Sequence, residues 1–327
     1  YSKGNKQGIM KIVTVSYYAI KLIFALVFTQ KNSKIYTINP VSGIIALVSS
    51  AFSSKIYIYE SHEMVFGLNY PYFRGKWRHF WSFIEKNIVK RSEYFFTTDA
   101  YRLKFIRRYY NIKIDNIGYI LNVPPIASSV GEKEKNQIRF NFEDKFVVSY
   151  CGGIIEGRGI ESIIEAFAEF QKETKKSVLL LAGSIEDNYQ ELLINQIKKS
   201  GINSNKVIFT GKLDNDTLMS YMSASDVTFA LYSNVSLNNR MCSPNKVFDA
   251  LHSQTYVITT KSFLTTDIVS KNNIGEILHS INPNSILSAL EECYNKRNNQ
   301  ITNERWGALQ LKYCWESEFE RVKQYII

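Results

Sequence analysis

Cys242-Ser243-Pro244-Asn245-Lys246-Val247-Phe248-Asp249-Ala250-Leu251 reads as the opening of a helix aimed at an anion. Ser243 suits the N-cap and Pro244 the first helical position, where a missing N–H costs nothing. The amides of Asn245, Lys246 and Val247 would then lack intrahelical partners and carry the positive end of the macrodipole. Such an end accepts a phosphate or diphosphate, and Lys246 adds a full charge at its rim. Asp249, about one turn further in, lies where it could meet hydroxyls beyond the phosphates. An ordinary capped helix would look the same, so the surrounding sequence has to decide.

That surrounding sequence alternates strand and helix. Apolar runs at Phe146–Cys151, Ser177–Ala182, Val207–Thr210, Asp226–Leu231 and Thr255–Thr260 each precede a helical stretch. The pattern predicts a doubly wound α/β sheet, whose ligands sit beyond the carboxyl ends of the strands. The first half repeats the rhythm. Lys34–Asn39 and Lys55–Tyr59 read as strands around a small-residue helix at 42–50, and the second strand runs into Glu60-Ser61-His62-Glu63. Residues 9–29, interrupted by Lys11 and Lys21, fit a buried helix better than a membrane span, although Lys11–Ser16 could equally be a strand. Residues 126–143 are polar, as a linker would be. The expected domains are therefore 1–125, the linker 126–143, 144–300, and a long terminal helix within 301–327 packing back toward the first domain.

The 327 residues carry a formal charge of +10, unevenly placed. Residues 1–150 hold 22 Lys+Arg against 10 Asp+Glu, and residues 151–327 hold 18 against 20. A basic first half suggests an anionic surface as partner. Between 70 and 110, Trp77, Trp81, Ile84 and Ile88 recur at helical spacing among Arg74, Lys76, Arg78, Lys86 and Lys90. This is either a core-facing stripe with solvated charges or a helix for the membrane headgroup level. No nucleic-acid-binding motif is present. Cys151, Cys242, Cys293 and Cys314 are too widely spaced for a metal or redox motif, which suits reduced thiols in a cytoplasmic protein.

Several segments, in order, resemble the retaining glycosyltransferases of family 4. Tyr59-Glu60-Ser61-His62-Glu63 is similar to that family's YDSHE segment, and Asn122-Val123-Pro124 to its NVP crossover. Gly152-Gly153 through Gly159-Ile160 resembles its glycine-rich strand end. Val207–Gly211 with Tyr221–Asp226 resembles its next strand–helix pair, and Ser243–Leu251 its SPNKLFEYL variant. Met241 and Asp249 stand where many members carry two glutamates, and Ile154 replaces one of two cations that often clamp the diphosphate, leaving Arg158. The segment before Asn39 is also short for the first β-α unit of a whole N-terminal domain.

The resemblance implies a GT-B fold of two Rossmann-like domains facing a cleft. It also implies transfer of a sugar from a nucleotide-diphosphate sugar to a lipid-linked or glycan acceptor in surface polysaccharide assembly. The enzyme would be retaining, without cofactor or metal, cytoplasmic, and peripheral to the inner face of the membrane. Gly152, Gly153, Arg158, Ser243, Asn245, Lys246 and Val247 would hold the diphosphate and Asp249 the ribose. His62 would act on the sugar or leaving group, with Glu60 or Glu63 assisting the acceptor. Asn238, Asn239 and Arg240 either touch the sugar or form a solvated loop. His252 reads as packing. Two rivals remain: a hydrolysing nucleotide-sugar epimerase of the same fold, and a catalytically silent nucleotide-sugar-binding scaffold.

Overall fold

The computed structural model describes residues 14, 17–28, 33–67, 75–113, 115–126, 132–233, 236–297 and 301–327. Two compact units divide the chain, Tyr1–Ile120 with Lys323–Ile327, and Leu121–Val322.

Among the described residues, the first unit holds a four-stranded sheet of β1 (Ile35–Ile38), β2 (Tyr57–Ser61), β3 (Tyr94–Thr97) and β4 (Ile117–Tyr119), in that order and parallel throughout. Every residue of β2 is buried, as a strand covered on both faces requires. Helices Asn39–Ala51, Lys76–Arg91 and Ala100–Tyr110 make the crossovers. Asp99 caps the last of these, accepting from the amides of Tyr101 and Arg102 at 2.8 Å each, and Asn111 ends it in the left-handed conformation.

The second unit is a six-stranded parallel sheet of β5 (Phe146–Cys151), β6 (Ser177–Ala182), β7 (Val207–Gly211), β8 (Val227–Ala230), β9 (Tyr256–Thr260) and β10 (Gly275–Leu278). Its order is β10-β9-β8-β5-β6-β7. The chain builds outward from β5 through β6 to β7, then crosses to β8 on the other side. The switch point therefore lies between β5 and β8, where such sheets open a crevice at their carboxyl ends. Helix Ile160–Glu173 buries Ile160, Ile163, Ile164, Phe167 and Phe170 against β5 and β6, an i, i+3, i+4, i+7 stripe.

Several expectations need correction. Residues 17–28 are helical, but the helix is not buried: Tyr17, Tyr18, Ile20, Leu22, Phe24 and Phe28 are exposed. The rest of the 9–29 stretch lies outside the described residues, apart from residue 14. The polar segment 126–143 is not simply a linker, because Glu132–Phe140 is a helix. Arg139 ties it down, donating to Asp226 at 2.9 Å, to the Ala224 carbonyl at 3.1 Å and to the Lys145 carbonyl at 3.0 Å. The long terminal helix is two, Asn303–Lys312 and Trp315–Ile326. The break falls at Tyr313-Cys314, where the Tyr313 carbonyl accepts from the His252 ring at 2.9 Å.

Candidate functional site

The carboxyl end of β5 decides the geometry of the second unit's crevice. Gly152 follows Cys151 with φ +126°, and a Cβ there would fall 1.8 Å from Lys246 Nζ. Glycine is thus what lets the lysine reach across the switch point. Lys246 Nζ donates to the Cys151 carbonyl and lies 5.0 Å above the Tyr150 ring. Gly183, at the end of β6 with φ +141°, is fixed the same way, since a Cβ would meet the Gly152 carbonyl oxygen at 2.0 Å.

Arg158, on the loop between Gly153 and the Ile160–Glu173 helix, stacks its guanidinium 4.9 Å over Tyr232. Tyr232 follows β8, and its amide donates to Thr260 Oγ1 at the end of β9 at 3.0 Å. Among the described residues, neither Lys246 nor Arg158 makes an ion pair. Burial pulls the Lys246 ammonium below its usual value and Arg158 adds to that, while the Cys151 thiol and Asp249 oppose it. Burial also raises the Asp249 carboxyl to about 6, against the pull of Lys246. No hydrogen bond holds that carboxyl among the described residues. Two cations on aromatic rings, with one unengaged carboxylate beside them, leave a net positive cluster that an anion would neutralise.

The opening of the Asn245–His252 helix differs from the sequence reading in two ways. Pro244, not Ser243, occupies the cap position, and no side chain caps the helix. Ser243 Oγ is buried without a hydrogen-bond partner. The Val247 amide donates to the Pro244 carbonyl at 3.0 Å, so it is not free for a ligand. A proline with extended ψ keeps its carbonyl turned into the first turn, which closes one amide early. Among the described residues, the amides of Asn245 and Lys246 have no hydrogen-bond partner. In the preceding loop Ser236 caps the short helix Leu237–Arg240, and Asn239 donates to the Ser233 carbonyl at 2.9 Å. Asn239 therefore braces this loop. Asn238 is partly buried, Arg240 is exposed and Met241 is buried. His252 is buried and bonded to the Tyr313 carbonyl, in keeping with packing.

In the first unit, the carboxyl end of β2 presents His62. Its Nε2 lies 2.9 Å from Glu60 Oε1, and the Tyr36 hydroxyl donates to Glu60 Oε2. Glu60 is buried and doubly engaged, so it is not a free base for an acceptor; Glu63 is exposed. The His62 amide donates to Asn39 Oδ1 at 3.3 Å, and its carbonyl accepts from Arg102.

The glycosyl transferases group 1 family matches this chain over residues 132–308, more than half of it. The chain belongs to that family. The group 1 match encloses the whole crevice just described, from before β5 to beyond β10. The protein is 28% identical over 213 residues to the uncharacterized glycosyltransferase MJ1069 of Methanocaldococcus jannaschii, which covers 63% of this chain and 51% of that relative. The chain thus spans about half the length of that curated relative. Among solved structures it is similar to Anabaena Alr3699/HepE in complex with UDP, with a TM-score of 0.75 at 13% identity, covering 94% of this chain and 81% of the other. Sucrose-phosphate synthase from Thermosynechococcus elongatus gives 0.70 at 16% identity, covering 90% and 72%. A glycosyltransferase from Rickettsia africae gives 0.74 at 11% identity, covering 94% and 80%. Both units of this member of the group 1 family are accordingly the Rossmann-like parallel-sheet domains of the GT-B fold.

Sequence reasoning did not find Tyr232, Tyr150, Tyr36, Asn39 or Arg102. A signal existed for Tyr150 and Tyr232, since both adjoin the carboxyl ends of β5 and β8. Nothing in the sequence marks Arg102, which is 2% exposed within a helix rich in solvated cations. Asn39 carries a backbone signal only, a φ of +68° that asparagine tolerates better than most residues.

Proposed function

We propose that this protein transfers a sugar from a nucleotide-diphosphate sugar to a lipid-linked or glycan acceptor, with retention and without a metal ion, in surface polysaccharide assembly. The observation that carries the reading is the pair of cations, Lys246 and Arg158, that make no ion pair among the described residues at the β5–β8 switch point. Cleaving the sugar–diphosphate bond leaves negative charge on the departing oxygen. These cations, with the amides of Asn245, Lys246 and Gly153, would stabilise it where it develops. Asp249 would accept from the ribose diol, and His62 would serve the transferring sugar. The UDP and UDP-glucose complexes of HepE support the donor class. The Ser243–Leu251 segment supports placement among the family 4 enzymes with the SPNKLFEYL variant.

The anionic inner face of a membrane is the proposed docking surface for the first unit. Helix Lys76–Arg91 exposes Trp77, Phe80 and Phe83 alongside Lys76 and Lys90, a combination suited to the headgroup level. Among the described residues, no helix is long and apolar enough to cross a membrane.

A thermal-shift screen against UDP-, GDP-, ADP-, CMP- and dTDP-sugars, run in EDTA, tests the donor claim. A ligand held by the native state raises the melting temperature by mass action. At least one diphosphate sugar should do so, and the shift should vanish in Arg158→Ala. No shift with any of them would sink the proposal. Free sugar released without acceptor at a rate matching turnover would favour the epimerase.

A further inference from the structure

His62 is gripped at every polar atom but one. Its amide is held by Asn39 Oδ1, its carbonyl by the Arg102 guanidinium, and its ring Nε2 by Glu60 Oε1 at 2.9 Å. The grips are themselves braced. The Tyr36 hydroxyl donates to the other Glu60 oxygen, and burial together with the Glu60 charge keeps that hydroxyl protonated. Arg102 is buried, and its own amide donates to Asp99. Ser61, next in the chain, anchors its hydroxyl between the Glu63 carbonyl and Glu85, each at 2.9 Å. Among the described residues, only Nδ1 is left without a partner, and the side chain is 37% exposed.

A carboxylate that already takes one hydrogen bond from Tyr36 accepts only, so the ring nitrogen facing it must carry the proton. In the neutral imidazole the other nitrogen is then a bare acceptor. We propose that Tyr36, Asn39, Glu60 and Arg102 are positioning residues that fix His62 as the Nε2–H tautomer, so that Nδ1 receives a substrate hydroxyl rather than donating to the diphosphate. This rests on the reading of His62 as a residue of the transfer site. It narrows the role from two options, sugar or leaving group, to one chemistry: acceptance from an alcohol. It also makes Glu60 the orienting group rather than a second base.

Nitrogen NMR of the full chain with labelled histidine reads the tautomer directly and needs no ligand. At pH 8 the wild-type ring should show a protonated Nε2 and a bare Nδ1. Glu60→Ala should mix the tautomers. Glu60→Gln, whose side-chain oxygen still accepts, should retain the wild-type form. A ring carrying its proton on Nδ1, or charged at pH 8, overturns the assignment even if no variant folds. An unchanged tautomer in folded Glu60→Ala does so as well. In turnover, Glu60→Ala should lose about tenfold or more, with affinity for the donor nucleotide unchanged. Loss of acceptor-free hydrolysis as well as transfer would place the hydroxyl on the donor sugar, and loss of transfer alone would place it on the acceptor. Should no nucleotide sugar bind at all, the proposed function fails while the tautomer measurement stands.

Discussion

At the scale of single residues, Asp249 carries the sharpest pH prediction. Its carboxyl is raised from 3.8 to about 6 by burial. Its protonated form is favoured by folding, so the stability it contributes is present below pH 4 and lost as pH rises through 6. A ribose diol donates to the ionised form, so nucleotide affinity should fall as pH drops through about 6 and stay flat above it. Titration calorimetry from pH 5 to 8 checks this, and Asp249→Asn should abolish the slope along with most of the affinity. Gly152→Ala is a second test. Its new methyl meets only the far end of Lys246, a flexible chain, plus a φ of +126° that costs about 1–3 kcal/mol. The protein should still fold, with the lysine displaced and diphosphate affinity reduced. Lys246 and Asp249 were singled out because helix-end chemistry leaves a local signature, and Arg158 because the segment around it resembles a family's glycine-rich strand end. Tyr232 was not, because a stacking ring is defined by what reaches it from another strand.

Among elements, helix Lys76–Arg91 shows where periodicity misleads. The stripe Trp77, Trp81, Ile84 and Ile88 suggests the core face, yet the buried residues are Ser82, Glu85, Ile88 and Val89. Polar Glu85 belongs inside because its neighbours are hydroxyls, whereas the buried Ser82 hydroxyl has no hydrogen-bond partner among the described residues. Tyr59 and Ser61 donate to one Glu85 oxygen at 2.9 Å, and Tyr110 to the other. A charged residue on a helix gives no sign in sequence that three hydroxyls wait for it. Glu85→Ala would strand those three hydroxyls, and should cost about 3 kcal/mol or more in denaturant unfolding. Loss below about 1 kcal/mol would mean the network is dispensable. The same shift of face turns Trp77 and Phe83 outward. Trp77→Ser with Phe83→Ser should release the protein from anionic vesicles in a sedimentation assay and leave nucleotide binding intact. The strands β4 and β10 escaped the sequence reading because each is a short run that carries a glycine, Gly118 and Gly275, which weakens a strand pattern.

For the whole molecule, the α/β class and the doubly wound second sheet were plain in the sequence, because strands buried on both faces write themselves as continuous apolar runs. The charge asymmetry was equally plain. Helix Glu132–Phe140 was not, since its anchor is Arg139 meeting Asp226 across a long stretch of chain. What unites the chain's features is a positive cluster at the β5–β8 switch point, shaped by glycine and built from two ring-stacked cations. The most direct test is calorimetric titration of the nucleoside diphosphate against its nucleoside, in EDTA, for the wild type, Arg158→Ala and Lys246→Ala. The account predicts diphosphate binding at least tenfold tighter than nucleoside binding in the wild type, about 1.4 kcal/mol or more. That preference should be largely erased in both variants. Equal affinity for the two ligands, or a preference that survives both substitutions, would contradict it.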